Sequence, residues 1–147
     1  MDAAELMRQV ATSFESADLE PLIAALHDNV TWKSASKQDH VFRFGGDYYS
    51  KLGVLDALSD ILMDYTINQM RPREIVASGN VVWGLFDVEL DYDIARGMDA
   101  VGKSEQCRSV ELEVAIRWRL KDSKIIEHQS FFDTASLLIQ QGHPPAH

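Results

Sequence analysis

The chain has 147 residues and a net charge of −9, a length that fits one domain burying roughly 68–70% of its unfolded surface. A hydrophobic fraction of 46% beside 25% charged residues is that of a globular protein, and the acidic balance repels phosphate backbones, which argues against nucleic acid as a partner. No apolar run approaches the roughly 20 residues that cross a bilayer, and Cys107, the single cysteine, excludes an internal disulfide and a cysteine-based zinc site. The first residues are acidic and carry no apolar core of a secretory signal, so a cytoplasmic protein is expected.

In chain order, Leu6, Val10 and Phe14, flanked by Ala3, Met7 and Ala11, form an apolar stripe at helical spacing and predict a helix from Asp2 to Ser16. Asp18 is a plausible N-cap for a shorter helix carrying Leu19, Leu22, Ile23 and Leu26, with Pro21 tolerable in its first turn. After His27-Asp28-Asn29 the period becomes two: Val30, Trp32 and Ser34 share one face of a short strand. Ser34 to Asp47, with His40, Phe42 and Phe44, reads as a loop with at most a brief strand. Ser50 opens a third helix with Leu52, Leu55, Leu58, Ile61, Leu62 and Tyr65 on its core side. Asp56, Asp60 and Asp64 lie four apart on the other side. They read as a solvated stripe, because metal ligation needs ligands converging from several elements.

Thr66 to Ala77 is a strand interrupted at Arg71-Pro72, where proline implies an edge position or a bulge. Ser78-Gly79-Asn80 turns the chain into Val81–Asp93, whose even positions Val82, Phe86, Val88 and Leu90 are apolar. Its odd positions pass from Val81, Trp83 and Leu85 into Asp87, Glu89 and Asp91. Ala95 to Lys103, holding Gly97 and Gly102, reads as a loop. Leu112–Leu120 alternates apolar and polar residues, Lys121-Asp122-Ser123 is a turn, and Ile125–Phe132 returns as a strand. Asp133 can cap a final short helix carrying Leu137 and Leu138. The domain is expected to span residues 1–140, with 141–147 as a flexible tail. The fold class is α+β: a strongly bent, mostly antiparallel sheet forming a cone, covered by about three N-terminal helices and closed by a short C-terminal helix.

Three stretches carry a family resemblance. Leu26–Trp32 (LHDNVTW) resembles a helix-to-first-strand junction. Gly46–Val54 (GDYYSKLGV) resembles a Gly-x-aromatic-x-Gly-Lys-x-Gly-Val approach to a third helix, with Ser50 where glycine is usual. Arg117–Leu138 resembles a closing strand pair and capped helix, with Ser123 where the turn normally has glycine. Together they resemble the SnoaL-like and ketosteroid isomerase-like branch of the nuclear transport factor 2-like superfamily. The resemblance implies a homodimer through the outer sheet face and an apolar cone that binds a small molecule. That fold hosts cofactor-independent isomerases, lyases, cyclases and hydrolases as well as non-catalytic binders, so the likeness alone does not choose between them.

Residue by residue, the resemblance transfers poorly. Ser34 stands where ketosteroid isomerases place a general-base aspartate. Against limonene-epoxide hydrolases, Asp87 falls on one catalytic aspartate, Leu85 on the arginine and Ser130 on the other aspartate. The chemistry of either relative is therefore not expected. A turn with a bulge pairs Leu120 with Lys124, Trp118 with Ile126, Ile116 with His128 and Val114 with Ser130, which puts His128 and Ser130 on the apolar face. A two-residue turn would reverse them. On the first register, Asp87 and His128 are the candidate proton carriers. The plainer alternatives are a solvated acid for Asp87 and a structurally satisfied strand histidine for His128. Trp32, Tyr48, Trp83 and Phe132, with Phe44, are expected to line the pocket, and Ser34 and Ser130 to supply hydrogen bonds. No metal or cofactor is expected.

Overall fold

The N-terminal stripe does form a helix, α1 (Ala3–Ser16), capped by Asp2, whose carboxylate accepts from Glu5 N–H at 2.7 Å. In a computed structural model that describes residues 2–37, 42, 44–93 and 107–142, it is followed by α2 (Glu20–Ala25), β1 (Leu26–Lys33), β2 (Asp47–Tyr49), α3 (Ser50–Asp64), β3 (Tyr65–Ser78), β4 (Val81–Asp93), β5 (Cys107–Lys121), β6 (Lys124–Phe131) and α4 (Thr134–Gln140). The segment Ala95 to Lys103, His40 and the tail from His143 lie outside the described residues. Gln141 was expected in that tail but is buried, and its side chain accepts the hydroxyl of Tyr65. No helix among the described residues is long and apolar enough to cross a membrane.

The strands form one curved, unclosed sheet in the order β2-β1-β6-β5-β4-β3. Every pairing is antiparallel except β1 with β6, so the long connection between those two strands brings the first strand back beside the last. The helices cover the concave face: Met7, Val10, Ala11 and Phe14 of α1 and Val54, Ala57 and Leu58 of α3 are buried. The expected stripe of α3 needs one correction, because Leu52 is exposed and the buried line runs through Val54 and Ala57. Leu26 likewise belongs to β1 rather than to the preceding helix, and it is fully buried. β3 is an edge strand with register shifts around Asn68 and beside Pro72, as its proline demands. Glu15 of α1 accepts from the Met70 N–H on that strand at 3.0 Å, satisfying a donor that the shifted ladder leaves open.

The closing hairpin corrects the predicted register. The turn is a two-residue one, with Asp122 and Ser123 both left-handed (φ 53 and 64), pairing Lys121 with Lys124 and Leu120 with Ile125. One extra residue, Ile126, then bulges, so that Arg119 pairs with Glu127, Trp118 with His128 and Ile116 with Ser130. The bulge restores the parity that the short turn would have reversed. His128 and Ser130 therefore reach the concave face by a different route, opposite Trp118 and Ile116 instead of Ile116 and Val114.

The two serines that replace expected glycines, Ser50 and Ser123, both have positive φ (67 and 64). An L-residue held there costs on the order of 1 kcal/mol, which glycine avoids at the expense of more unfolded-state freedom. Ser123→Gly is accordingly expected to stabilise the fold by about 0.5–1 kcal/mol, read as a higher urea midpoint at unchanged slope. A lower midpoint would mean that the turn is not of this type.

Candidate functional site

Directly paired residues in a sheet point to the same face, so the ladder registers alone sort the candidate residues. Tyr48 pairs with Trp32, Trp32 with His128, His128 with Trp118, and Trp118 with Val82. These side chains form a row across the concave face at one level of the cone. The next level outward carries Gly84, Ile116 and Ser130, and the one after it Phe86, Val114 and, two residues beyond Ser130, Phe132. Gly84 makes room there: a Cβ would lie 2.5 Å from the Met7 sulfur and 2.7 Å from the Phe86 ring, so one of those side chains would have to shift. Trp32, Tyr48, His128, Ser130 and Phe132 thus share the concave face.

Asp87 and Trp83 do not. Asp87 pairs with Glu113 and alternates with the buried Phe86 and Val88. Its carboxylate meets the Arg73 guanidinium at 3.1 Å on the convex face, where Arg73 also meets Glu113 at 3.0 Å. The expected convergence of Asp87 with His128 is corrected on this ground: the sheet itself separates them. Trp83 is on the convex face too, 45% exposed and stacked on Phe131 at 6.0 Å. Asp87 begins the partly solvated acidic half of β4.

Ser34 is on the concave side but is committed to the chain. Its hydroxyl lies 2.7 Å from the carbonyl of Ser36 and 2.9 Å from that of Gly46, while its N–H donates to Gly46 at 3.3 Å. It pins the two ends of the segment between β1 and β2. Tyr48 similarly donates to the Gly45 carbonyl at 2.9 Å. Both help to hold a wall of the cone.

His128 is buried, with its ring stacked on Trp32 at a centroid distance of 3.4 Å and an interplanar angle of 4°. The Trp118 indole N–H donates to His128 Nδ1 at 3.0 Å, and His128 Nε2 lies 2.6 Å from Ser130 Oγ. Burial pushes the imidazole pKa down to about 3, with the nearby Arg117 charge adding to the effect. The hydrogen-bond geometry agrees, because a proton on Nδ1 would face the indole donor. His128 is therefore neutral over the physiological range.

Further out, the concave face holds a half-open apolar cavity of about 80 Å³. Phe44, Ile61, Tyr65 and Phe132 form part of its wall, Ile67, Leu90 and Leu112 the strand side, and Leu137 of α4 adds to the lining. Tyr65 brings the wall's one hydroxyl, and this donates to Gln141; burial, with Tyr92 and Asp64 nearby, holds the phenol well above its usual pKa. The neighbouring Gln140 docks α4 on β5 by accepting from Glu111 N–H at 2.8 Å and donating to the Glu111 carbonyl at 2.9 Å. Sequence reasoning missed Trp118, Tyr65 and Leu137 as site residues. Trp118 was visible as an apolar strand position, but its meeting with His128 depends on the bulge at Ile126. Among the described residues, no three His, Cys, Asp or Glu side chains converge so as to hold a metal ion.

No protein-family model matches the sequence, and no curated protein matches it. Solved structures do. An NTF2-like protein of unknown function from Burkholderia pseudomallei superposes with a TM-score of 0.75 at 19% identity, covering 92% of this chain and 94% of that one. A hypothetical protein with a ketosteroid isomerase-like fold from Catenulispora acidiphila, in complex with trimethylamine, gives 0.74 at 12% identity over 97% and 96%. TerC, co-crystallised with polyporic acid, gives 0.73 at 18% identity over 94% and 96%. Element order, the curved six-stranded sheet and these near-complete superpositions agree: the chain has the nuclear transport factor 2-like fold, with ketosteroid isomerase-like proteins among its structural neighbours.

Proposed function

We propose that the cone binds a small, largely apolar molecule. The observation that carries this reading is the cavity beneath α4, whose wall is aliphatic and aromatic and whose one hydroxyl is already engaged. Two structural neighbours, solved with polyporic acid and with trimethylamine, are further support that this fold accommodates small molecules. The cavity of about 80 Å³ is smaller than the roughly 150 Å³ space known to admit benzene. A ligand of that size must widen the cavity or extend through its open side.

Acid–base turnover by Asp87 with His128 is not part of this reading. Asp87 sits across the sheet from the cone, and a neutral imidazole that accepts from Trp118 has no lone pair left for a substrate proton. Toluene titrated into the protein should shift the methyl NMR signals of Ile61, Ile67 and Leu137 while leaving Val76 and Leu85 of the convex face unmoved. Narrowing the cavity with Leu90→Phe should weaken that binding several-fold. Shifts confined to the convex face, or none, would contradict the reading.

We also propose that two copies of the chain meet through the convex face. Trp83, Phe131 and Val76 are large exposed apolar side chains on that face, adjoining Leu85 and Ala115, and such a patch on a monomer calls for a partner. The flanking pairs Arg73–Asp87 and Arg119–Glu127 would form the polar rim. Light scattering should give a dimer for the wild type and a folded monomer for Trp83→Glu; a wild-type monomer at high concentration would refute this contact.

A further inference from the structure

We propose that Ser130 is the hydrogen-bond donor that orients the bound molecule through an acceptor oxygen, and that Trp118 imposes this polarity through His128. The inference rests on the cone being the ligand site. It begins with Trp118, whose indole nitrogen can only donate. That nitrogen points at His128 Nδ1 from 3.0 Å, so Nδ1 must carry a lone pair. A neutral imidazole with its lone pair on Nδ1 has its hydrogen on Nε2, and Nε2 lies 2.6 Å from Ser130 Oγ. The Ser130 oxygen is therefore the acceptor in that contact, and its own hydrogen is directed elsewhere. Among the described residues, no side chain or carbonyl takes it.

The apparent serine–histidine pair is thus wired in the opposite sense to a nucleophile and its base. Activation of Ser130 would need a lone pair on Nε2, hence a hydrogen on Nδ1 facing the indole N–H. The stack on Trp32 and the burial of the ring hold this arrangement in place. Donation runs from Trp118 to His128 to Ser130, whose own hydrogen is left for a further acceptor. Phe132, the second residue on from Ser130 and so about 7 Å away, is part of the cavity wall, which Ser130 itself does not line. A ligand that seats an apolar body against Phe132 and Leu90 and extends about one ring-length beyond that wall toward Ser130 would bring an oxygen to its hydroxyl. The ligand class is a small apolar molecule with an acceptor-only oxygen, such as a ketone or enone. Ser130 and the ring behind it fix its orientation without covalent chemistry.

The test compares two probes of nearly the same shape, acetophenone and α-methylstyrene, which differ in carrying C=O or C=CH2. Dissociation constants come from methyl NMR titration of the full chain. Ser130→Ala should reduce the preference for the ketone by about two- to ten-fold, the range expected for one neutral hydrogen bond, with α-methylstyrene binding kept. Ser130→Thr, which retains the hydroxyl, should keep the preference. Trp118→Phe frees His128 Nδ1, lets the Ser130 hydroxyl turn toward the ring, and should lower the ketone preference alone; equal weakening of both probes would mean that Trp118 acts only through packing and would overturn the imposed polarity. An unchanged preference in Ser130→Ala would overturn the assignment of Ser130 while leaving the cone as ligand site. Binding of neither probe to the wild type would sink the ligand-site reading and this inference with it.

Discussion

The interaction on which the rest of the cone depends is the hydrogen bond from the Trp118 indole to His128. A histidine buried to this degree is tolerable only if both ring nitrogens are satisfied and the ring stays neutral. Trp118 meets the first condition on one side and Ser130 on the other, while Trp32 covers the face of the ring. The arrangement draws on three strands. β1 supplies Trp32 through the parallel pairing with β6, β5 supplies Trp118, and β6 supplies His128 and Ser130. Shifting any of these registers by one residue would turn one partner to the opposite face and leave a buried polar group unpaired, so the polar chain also fixes the register of the sheet.

The sheet divides the chemistry of the protein between its faces. The concave side is apolar and aromatic, with the Trp118–His128–Ser130 chain and the Tyr65–Gln141 pair as polar contacts. The convex side carries the carboxylates and guanidiniums, including Arg73 between Asp87 and Glu113 and Glu127 between Arg117 and Arg119. Those pairs are partly exposed and contribute little stability; they keep charge out of the cone. On this account selectivity comes from shape and from one hydrogen-bond donor, and the strongly acidic exterior has no part in binding.

The helices, the long strands and the apolar faces were legible because they follow from periodicity: Leu6, Val10 and Phe14 recur at helical spacing, and Leu112 to Trp118 alternate; the parallel return of β1 beside β6 has no such signal. The face of Asp87 was legible in principle, since Val82, Phe86, Val88 and Leu90 all share the opposite parity. The signal was masked because Val81, Trp83 and Leu85 make the first part of β4 apolar on both sides, and because an alignment with epoxide hydrolases placed Asp87 at a catalytic position. The register of the final hairpin was not legible. Ile125 and Ile126 are adjacent β-branched residues of the same chemistry, and nothing in the sequence says that one of them bulges. The parity of His128 came out right because a short turn and a bulge compensate, yet the partner, Trp118, could not be named. The departures at Ser50 and Ser123 were visible as missing glycines, but their backbone angles needed the structure.

The most direct test of the account is the protonation state of His128, observed through two-bond proton–nitrogen correlations on protein labelled with 15N in its histidine side chains and assigned with a His128→Gln variant. The account predicts a pyrrole-like shift at Nε2 and a pyridine-like shift at Nδ1, both unchanged from pH 8 to pH 5, because the ring stays neutral with its hydrogen directed at Ser130. A hydrogen on Nδ1, or a titration centred near the ordinary histidine value of 6.5, would contradict the directed chain from Trp118 to the cone and the role assigned to Ser130.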